Sequence, residues 1–406
     1  MSSRALTWFV AWMAVLAAAA AALAQDTTEG PPADQGPKLS EQDQKEVELG
    51  REGLKQVESE LKLVTDEAVL ERVRRIGGAL AQVATSSKVP ALYGYDRLSE
   101  FQYEFRVIDD PDINAFALPG GFVFVYTGLL GFVESDDELA GVLAHEIAHA
   151  AHHHMVRLAT DMEKANQESI LGALVVGVLS GGGSENVVNL LSGLQLYQYA
   201  RSNAYVQEAE TDADTTAYHY LKATHFDPVG MLTFMERLHA KQMFEPAIDW
   251  GIFRTHPPTA ERATNILRLL KADNLPIRRS KVSTSSCVQV REVVEGDAKF
   301  HELYLGSITI ARLAPDGSAE DPLGRAKACA EALNRALDAG VSTYELRAKD
   351  DGRLTGAGTT LLAFTEADAA ATGQSVGALA KSAYKALRHT ITTLDRGRSL
   401  AAGVGT

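Results

Sequence analysis

The spacing of apolar positions divides the chain into segments of different period. From Ser40 to Val64, SEQDQKEVELGREGLKQVESELKLV, the pattern is helical with charges on most faces, which predicts a helix opened by Ser40. A second helix is expected from about Asp66 through AVLERVRRIGGALAQVA. Tyr103–Ile108 (YEFRVI) and Phe122–Gly128 (FVFVYTG) change the period. Rich in β-branched and aromatic residues and bounded by Asp, Pro and Gly, they read as extended segments. Helical patterns resume at Ser135 and run, with one interruption, to about Leu270. That interruption, Ser169–Leu194, has an apolar core too short to cross a membrane and is broken by Gly181–Gly183. It reads either as a buried helix with a flexible loop or as a lid or membrane-contacting element. After a linker at 276–284 the texture changes again. Strand-like ELYLGSITIARL, a helix from about Leu323 to Ala339, strand-like STYELRAK and TTLLAFT, and a last helix SVGALAKSAYKALRHTI predict a small α+β domain over 285–398. A disordered tail is expected at 399–406. The chain has no internal repeat, which disfavours a helical-repeat scaffold.

The N-terminus is of another kind. Arg4 precedes an apolar run from Ala5 to Leu23 that closes on Ala22-Leu23-Ala24. A positive start, an apolar middle and a small-x-small end describe a signal peptide over 1–24. The alternative is an uncleaved membrane anchor. A Pro/Gly/acid-rich linker at 25–39 follows, too poor in apolar residues to fold. With 406 residues, 46% of them hydrophobic, the remainder can form two ordinary domains. The net charge of −14 becomes one unit more negative once Arg4 is removed. Such a surface repels phosphate backbones, so nucleic acid is not expected as a partner. Cys287 and Cys329 could form one disulfide in an exported protein or remain free thiols.

Five of the eleven histidines fall between His145 and His154. His145, Glu146 and His149 spell H-E-x-x-H. On a helix, positions i and i+4 share a face, so both imidazoles can reach one metal ion while Glu146 addresses a water at it. Three protein ligands and an open fourth position suit catalytic zinc. Alone, the motif arises by chance often enough to need support. Ser135 with Glu138 is a capping-box pair, and Leu139, Val142, Leu143 and Ile147 give this helix a buried face. A third ligand is expected from a separate helix. In QEAETDAD, Glu210 and Asp214 stand four apart, with Asp214 placed to accept from a ligand imidazole. The alternative there is a solvated acidic helix start, since Glu208, Glu210, Asp212 and Asp214 simply alternate. His152 and His153 read as solvent-facing, and His154 as either positioning the helix or packing. His219, His225, His239, His301 and His389 read as ordinary surface or core residues.

Between Asn114 and Arg262 the chain resembles a zinc metallopeptidase family, peptidase family M48, which includes the CAAX prenyl protease and the HtpX-type and BepA-type proteases. The segments NAFALPGGFVFVYTGLL, DELAGVLAHEIAHAAHHH, EAETDADTTAYHYL, FDPVGM and THPPTAER occur in the family's order, and EVELG upstream is similar to its first helix. The resemblance implies an α+β fold over 40–275: a mostly helical zincin-type (gluzincin) metallopeptidase domain with a small sheet. It implies one Zn²⁺ held by His145, His149 and Glu210, with Glu146 as general base and Asp214 orienting a ligand histidine. It also implies that His256, supported by Arg262, stabilises the oxyanion or closes the metal's open position. Asn114, Ala115 and Phe116 would be an edge strand that pairs with an extended substrate. One departure is Gln207, where many relatives carry arginine.

The function implied is an exported zinc metalloendopeptidase acting on unfolded or misfolded proteins in the periplasm. Peripheral contact with the membrane or envelope assembly machinery would fit that role. A zinc-containing, chaperone-like factor whose site His256 keeps shut is the rival. A third reading is a sensor or assembly protein that works through its C-terminal domain.

Overall fold

A computed structural model describes residues 39–164, 204–245, 251–252, 256, 260–295, 298–315 and 322–401. The N-terminal apolar segment, the linker up to residue 38 and the Ser169–Leu194 stretch lie outside the described residues. Packing divides the chain into two compact units. One draws on Met1–Val133, Leu139–Pro228 and Glu245–Pro258, the other on Glu134–Glu138, Val229–Phe244 and Thr259–Thr406.

In the first unit, α1 (Glu41–Glu60) starts where Ser40 accepts the Asp43 backbone N–H at 3.0 Å, and α2 (Glu67–Ser86) where Asp66 accepts that of Ala68 at 2.9 Å. These caps satisfy N–H groups that a first helical turn leaves without partners. Helix α1 ends short of Val64 because Leu61 turns extended and Leu63 bridges to Ile108. Strands β1 (Glu104–Ile108), β2 (Ala115–Leu118) and β3 (Phe122–Tyr126) form one sheet in the order β1-β3-β2, with β1 parallel and β2 antiparallel to β3. The central strand is buried from Phe122 to Val125. That explains its unbroken apolar run, where an alternating pattern would mark a half-exposed strand. Leu54 of α1 packs with Ile108, Phe122 and Phe124. The β2–β3 loop has positive φ at Gly120 and Gly121, and a Cβ on Gly120 would lie 2.5 Å from the Val47 Cα. Only glycine lets α1 lie this close to the hairpin.

Helices α3 (Thr127–Phe132), α4 (Asp136–Ala151), α5 (His154–Lys164) and α6 (Ala204–Lys222) complete the described elements of this unit, the first turn of α4 counting with the other. From Leu139 to Ala148 every residue of α4 is buried, as in a helix enclosed on all sides.

The second unit contains α7 (Val229–Phe244), α8 (Ala260–Ala272) and the short α9 (Arg279–Val282). Strands β4 (Gln289–Glu295), β5 (Ala298–Leu305) and β6 (Ile308–Leu313) form an antiparallel sheet, followed by α10 (Pro322–Asp338). Strands β7 (Arg347–Ala348), β8 (Arg353–Gly356) and β9 (Thr359–Ala363) form a second sheet, followed by α11 (Glu366–Thr372) and α12 (Val376–Ala401). Leu303, Leu313, Leu333, Leu354 and Leu387 belong to its core. Because α7 and α8 pack on α12, this division cuts across the 40–275 domain expected from the sequence.

Two expectations need adjusting here, and one alternative left open is resolved. Of STYELRAK only Arg347–Ala348 is strand, because Ser342–Glu345 closes a turn in which the Glu345 carboxylate accepts from the Ser342 N–H at 2.8 Å. Helix α12 runs to Ala401, three residues into the expected tail. Cys287 and Cys329 are both free. Among the described residues no helix is long and apolar enough to cross a membrane.

Candidate metal centre

Helix α4 opens much as its sequence predicts. The Ser135 hydroxyl accepts the Glu138 N–H at 3.1 Å, while the Glu138 carboxylate accepts the N–H of Glu134, one residue before the usual capping-box partner. Two turns later His145, Glu146 and His149 face the interior, and α6 brings Glu210 and Asp214 to the same place. One ligand atom from each of His145, His149, Glu210 and His256 lies within 4.8 Å of all the others.

The separations carry chemical information. The Nε2 atoms of His145 and His149 are 3.0 Å apart, and each lies 3.3 Å from a Glu210 carboxylate oxygen. His256 Nδ1 is 3.2 Å from His145 Nε2 and 2.9 Å from Glu210 Oε1. Ligands about 2.0–2.1 Å from a tetrahedral zinc ion stand about 3.3 Å from one another, so this donor set fits zinc closely. His145 Nδ1 lies 3.0 Å from Asp214 Oδ1, so that nitrogen carries the proton and Nε2 presents its lone pair to the cluster. Burial lowers the pKa of His149 well below its ordinary value, which favours the neutral ring that a metal ligand requires, and burial also lowers that of His154. Glu146 is buried beside the cluster but is not one of its four donors, and its Oε1 is 3.3 Å from His256 Nε2.

Over residues 72–270 the sequence matches the model of Peptidase family M48. The chain carries a peptidase family M48 domain. Similar proteins include the beta-barrel assembly-enhancing protease of Escherichia coli (strain K12), 27% identical over 52% of this chain and 41% of that protein. The mitochondrial metalloendopeptidase OMA1 of Schizosaccharomyces pombe is 32% identical over 47% of this chain and 52% of its own length. The metalloprotease LoiP of Escherichia coli (strain K12) is 32% identical over 42% of this chain and 64% of its own. The chain thus spans less than two thirds of each of these relatives.

Within the M48 metallopeptidase domain, the structure brings together His145, Glu146, His149, Glu210, Asp214 and His256. Arg262 is buried on α8, in the second unit. Ala115 and Phe116 open β2, an outer strand of the sheet, and Asn114 precedes it with its carbonyl accepting from the Tyr126 N–H at 3.0 Å. Gln207 is exposed on α6. The Pro257–Thr259 part of THPPTAER lies outside the described residues.

The expectation that His152 and His153 face solvent is wrong. Both are buried. Helix α4 stops at Ala151, His153 takes φ 57, and the turn carries the two rings inward. His152 Nδ1 meets Asp212 Oδ2, as does His154 Nε2 at 2.9 Å. His153 Nδ1 meets Glu46 Oε2 at 2.6 Å, and its Nε2 lies 2.8 Å from the Ser99 hydroxyl. Arg97 joins the same pocket, 2.7 Å from Asp43 and 3.2 Å from Glu46. Buried polar groups require such partners. The signal available in the sequence was the acidic pair Asp43 and Glu46, three apart on one side of α1.

Proposed function

We propose that the chain is an exported, zinc-dependent metalloendopeptidase that cuts unfolded or misassembled proteins as part of envelope quality control. The observation that carries this reading is the convergence of His145, His149 and Glu210 next to Glu146. His145, His149 and Glu210 would hold zinc there, and its chemistry would be that of a Lewis acid towards a peptide carbonyl and water. The remaining work falls to side chains. Glu146 takes the proton from the attacking water and passes it to the departing amine. Asp214 keeps His145 in the tautomer that binds. His256, turned out of the donor set, hydrogen-bonds the oxyanion with Arg262 in support. The outer edge of β2, from Asn114 to Phe116, offers backbone groups to an extended peptide, and an unfolded chain has such stretches to give. Export is supported by the N-terminal apolar segment. The envelope role is supported by the likeness to a protease named for β-barrel assembly, and it leaves room for peripheral contact with the membrane or assembly machinery.

One observation favours a second reading, a zinc-containing chaperone-like or assembly factor with a self-inhibited site. His256 Nδ1 stands within the donor set, where substrate would need to enter. A single experiment separates the two. The purified chain, loaded with zinc, is expected to hold one ion and to digest casein until a chelator is added, and His256→Ala should digest it about 10²- to 10³-fold more slowly, through loss of the oxyanion donor. A well-folded protein that takes up no zinc would end the proposal. Casein bound but left intact by both forms would favour the chaperone-like reading. Faster digestion by His256→Ala would show instead that His256 plugs the site.

A further inference from the structure

The histidine beyond the metal motif and the middle acid of the second helix are buried, bonded to each other, and used by nothing described so far. His154 Nδ1 lies 2.9 Å from Nδ1 of His149. Its other nitrogen lies 2.9 Å from Asp212 Oδ2 and 3.2 Å from the Tyr93 carbonyl oxygen. Asp212 also meets His152 Nδ1 through Oδ2 and the Leu92 backbone N–H through Oδ1. His152, His154 and Asp212 are all at least 97% buried.

Hydrogen-bond bookkeeping fixes the protons along this chain. A His149 ring that offers the lone pair of Nε2 to a metal must carry its proton on Nδ1. That proton points at His154 Nδ1, which must therefore accept, leaving the His154 proton on Nε2 and directed at Asp212. Each link dictates the next. The backbone holds the geometry: Tyr95 donates its N–H to the His152 carbonyl at 3.0 Å, and Gly94, at φ +99, approaches so closely that a Cβ would fall 2.1 Å from that oxygen. Thus the turn that follows α4 is clamped by residues 92–95, and His154 is held under His149.

We propose that His154 and Asp212 are positioning residues for the metal: through a proton-ordered chain, Asp212–His154–His149, they fix the tautomer and orientation in which His149 binds zinc. The two ligand histidines are then supported unequally, His145 by a carboxylate directly and His149 by a carboxylate acting through a second ring. This inference rests on the metallopeptidase reading. It is incompatible with a metal ion at His152, His154 and Asp212, because in this chain His154 Nδ1 accepts the His149 proton and Nε2 carries the proton directed at Asp212, leaving His154 no lone pair for a metal.

The test measures zinc affinity of the full chain by competition with a chromogenic chelator, alongside zinc stoichiometry and the melting temperature of the metal-free protein. His154→Phe keeps ring volume but removes both nitrogens, and is expected to weaken zinc binding about 10- to 100-fold. His154→Asn loses volume but places an amide oxygen near the position of Nδ1, and is expected to recover part of that loss. A packing role predicts the reverse order, so Asn binding zinc more weakly than Phe overturns the proposal. Asp212→Asn reads the far end of the chain independently, and an unchanged zinc affinity there overturns it too. So does a parent protein holding two zinc ions. A parent that binds no zinc sinks the metallopeptidase reading as well. A fully loaded parent matched in affinity by its His154→Phe form sinks this inference alone.

Discussion

Glu146→Gln is expected to bind one zinc ion per chain as the parent does and to lose casein cleavage by about 10²- to 10⁴-fold, the range typical of a missing general base. The substitution keeps the shape of the side chain and removes only its ability to hold a proton. Zinc should stay because the donors that converge are His145, His149, Glu210 and His256, with Glu146 outside them. Glu146 is buried, and a neutral amide tolerates burial better than a carboxylate, so the fold should not suffer. Zinc content measured by atomic absorption and kcat/KM on a fluorogenic casein substrate check both halves. Undiminished cleavage would remove Glu146 from the chemistry, whereas loss of zinc along with cleavage would make it a ligand.

Glu210→Ala should act at the other level. Its carboxylate lies within 3.3 Å of His145, His149 and His256 and supplies the only negative charge in the donor set. Without it three imidazoles remain, and zinc is expected to leave on dialysis, with casein cleavage falling to that of the chelated parent. Stability provides an independent readout. Zinc at a hundred times its dissociation constant stabilises a folded protein by about 2.7 kcal/mol. For a domain of this size that corresponds to roughly 5–10 °C in melting temperature. The parent should show that rise on adding zinc and Glu210→Ala should not. Metal-free, the variant should melt close to the metal-free parent, since a buried carboxylate costs desolvation that its removal returns. An equal zinc-induced rise in both proteins would take Glu210 out of the metal site.

That His145 and His149 would converge was legible because their spacing is local and periodic, while Glu210 was reached through the resemblance to the M48 family and not through spacing alone. The i, i+4 spacing of His145 with His149, and of Glu210 with Asp214, puts each pair on one face of a helix, and helices of this length are set by caps such as Ser135 and Ser40. The hairpin strand β2 was harder to read: Ala115–Leu118 is four residues long and its pairing depends on two glycines that follow. His152 and His153 were misread for a different reason. They sit just past the end of a helix, where period gives no information, and their partners are 60 and 107 residues away in sequence. The packing of α7 and α8 on α12 was not legible either, since no linear pattern announces such contacts.

Anyone trimming this protein to a minimal catalytic fragment would be drawn to residue 72, where the family match begins. That cut would discard Asp43 and Glu46 and strand Arg97 and His153 in the interior with no anion to answer them. Losing one side of such a pairing typically costs about 3–5 kcal/mol, a large share of the 5–15 kcal/mol or so that holds a domain together. It would also remove Leu54 and leave a hole against Phe122 and Phe124. A fragment that keeps these partners therefore has to begin no later than Ser40, a full helix ahead of the family match.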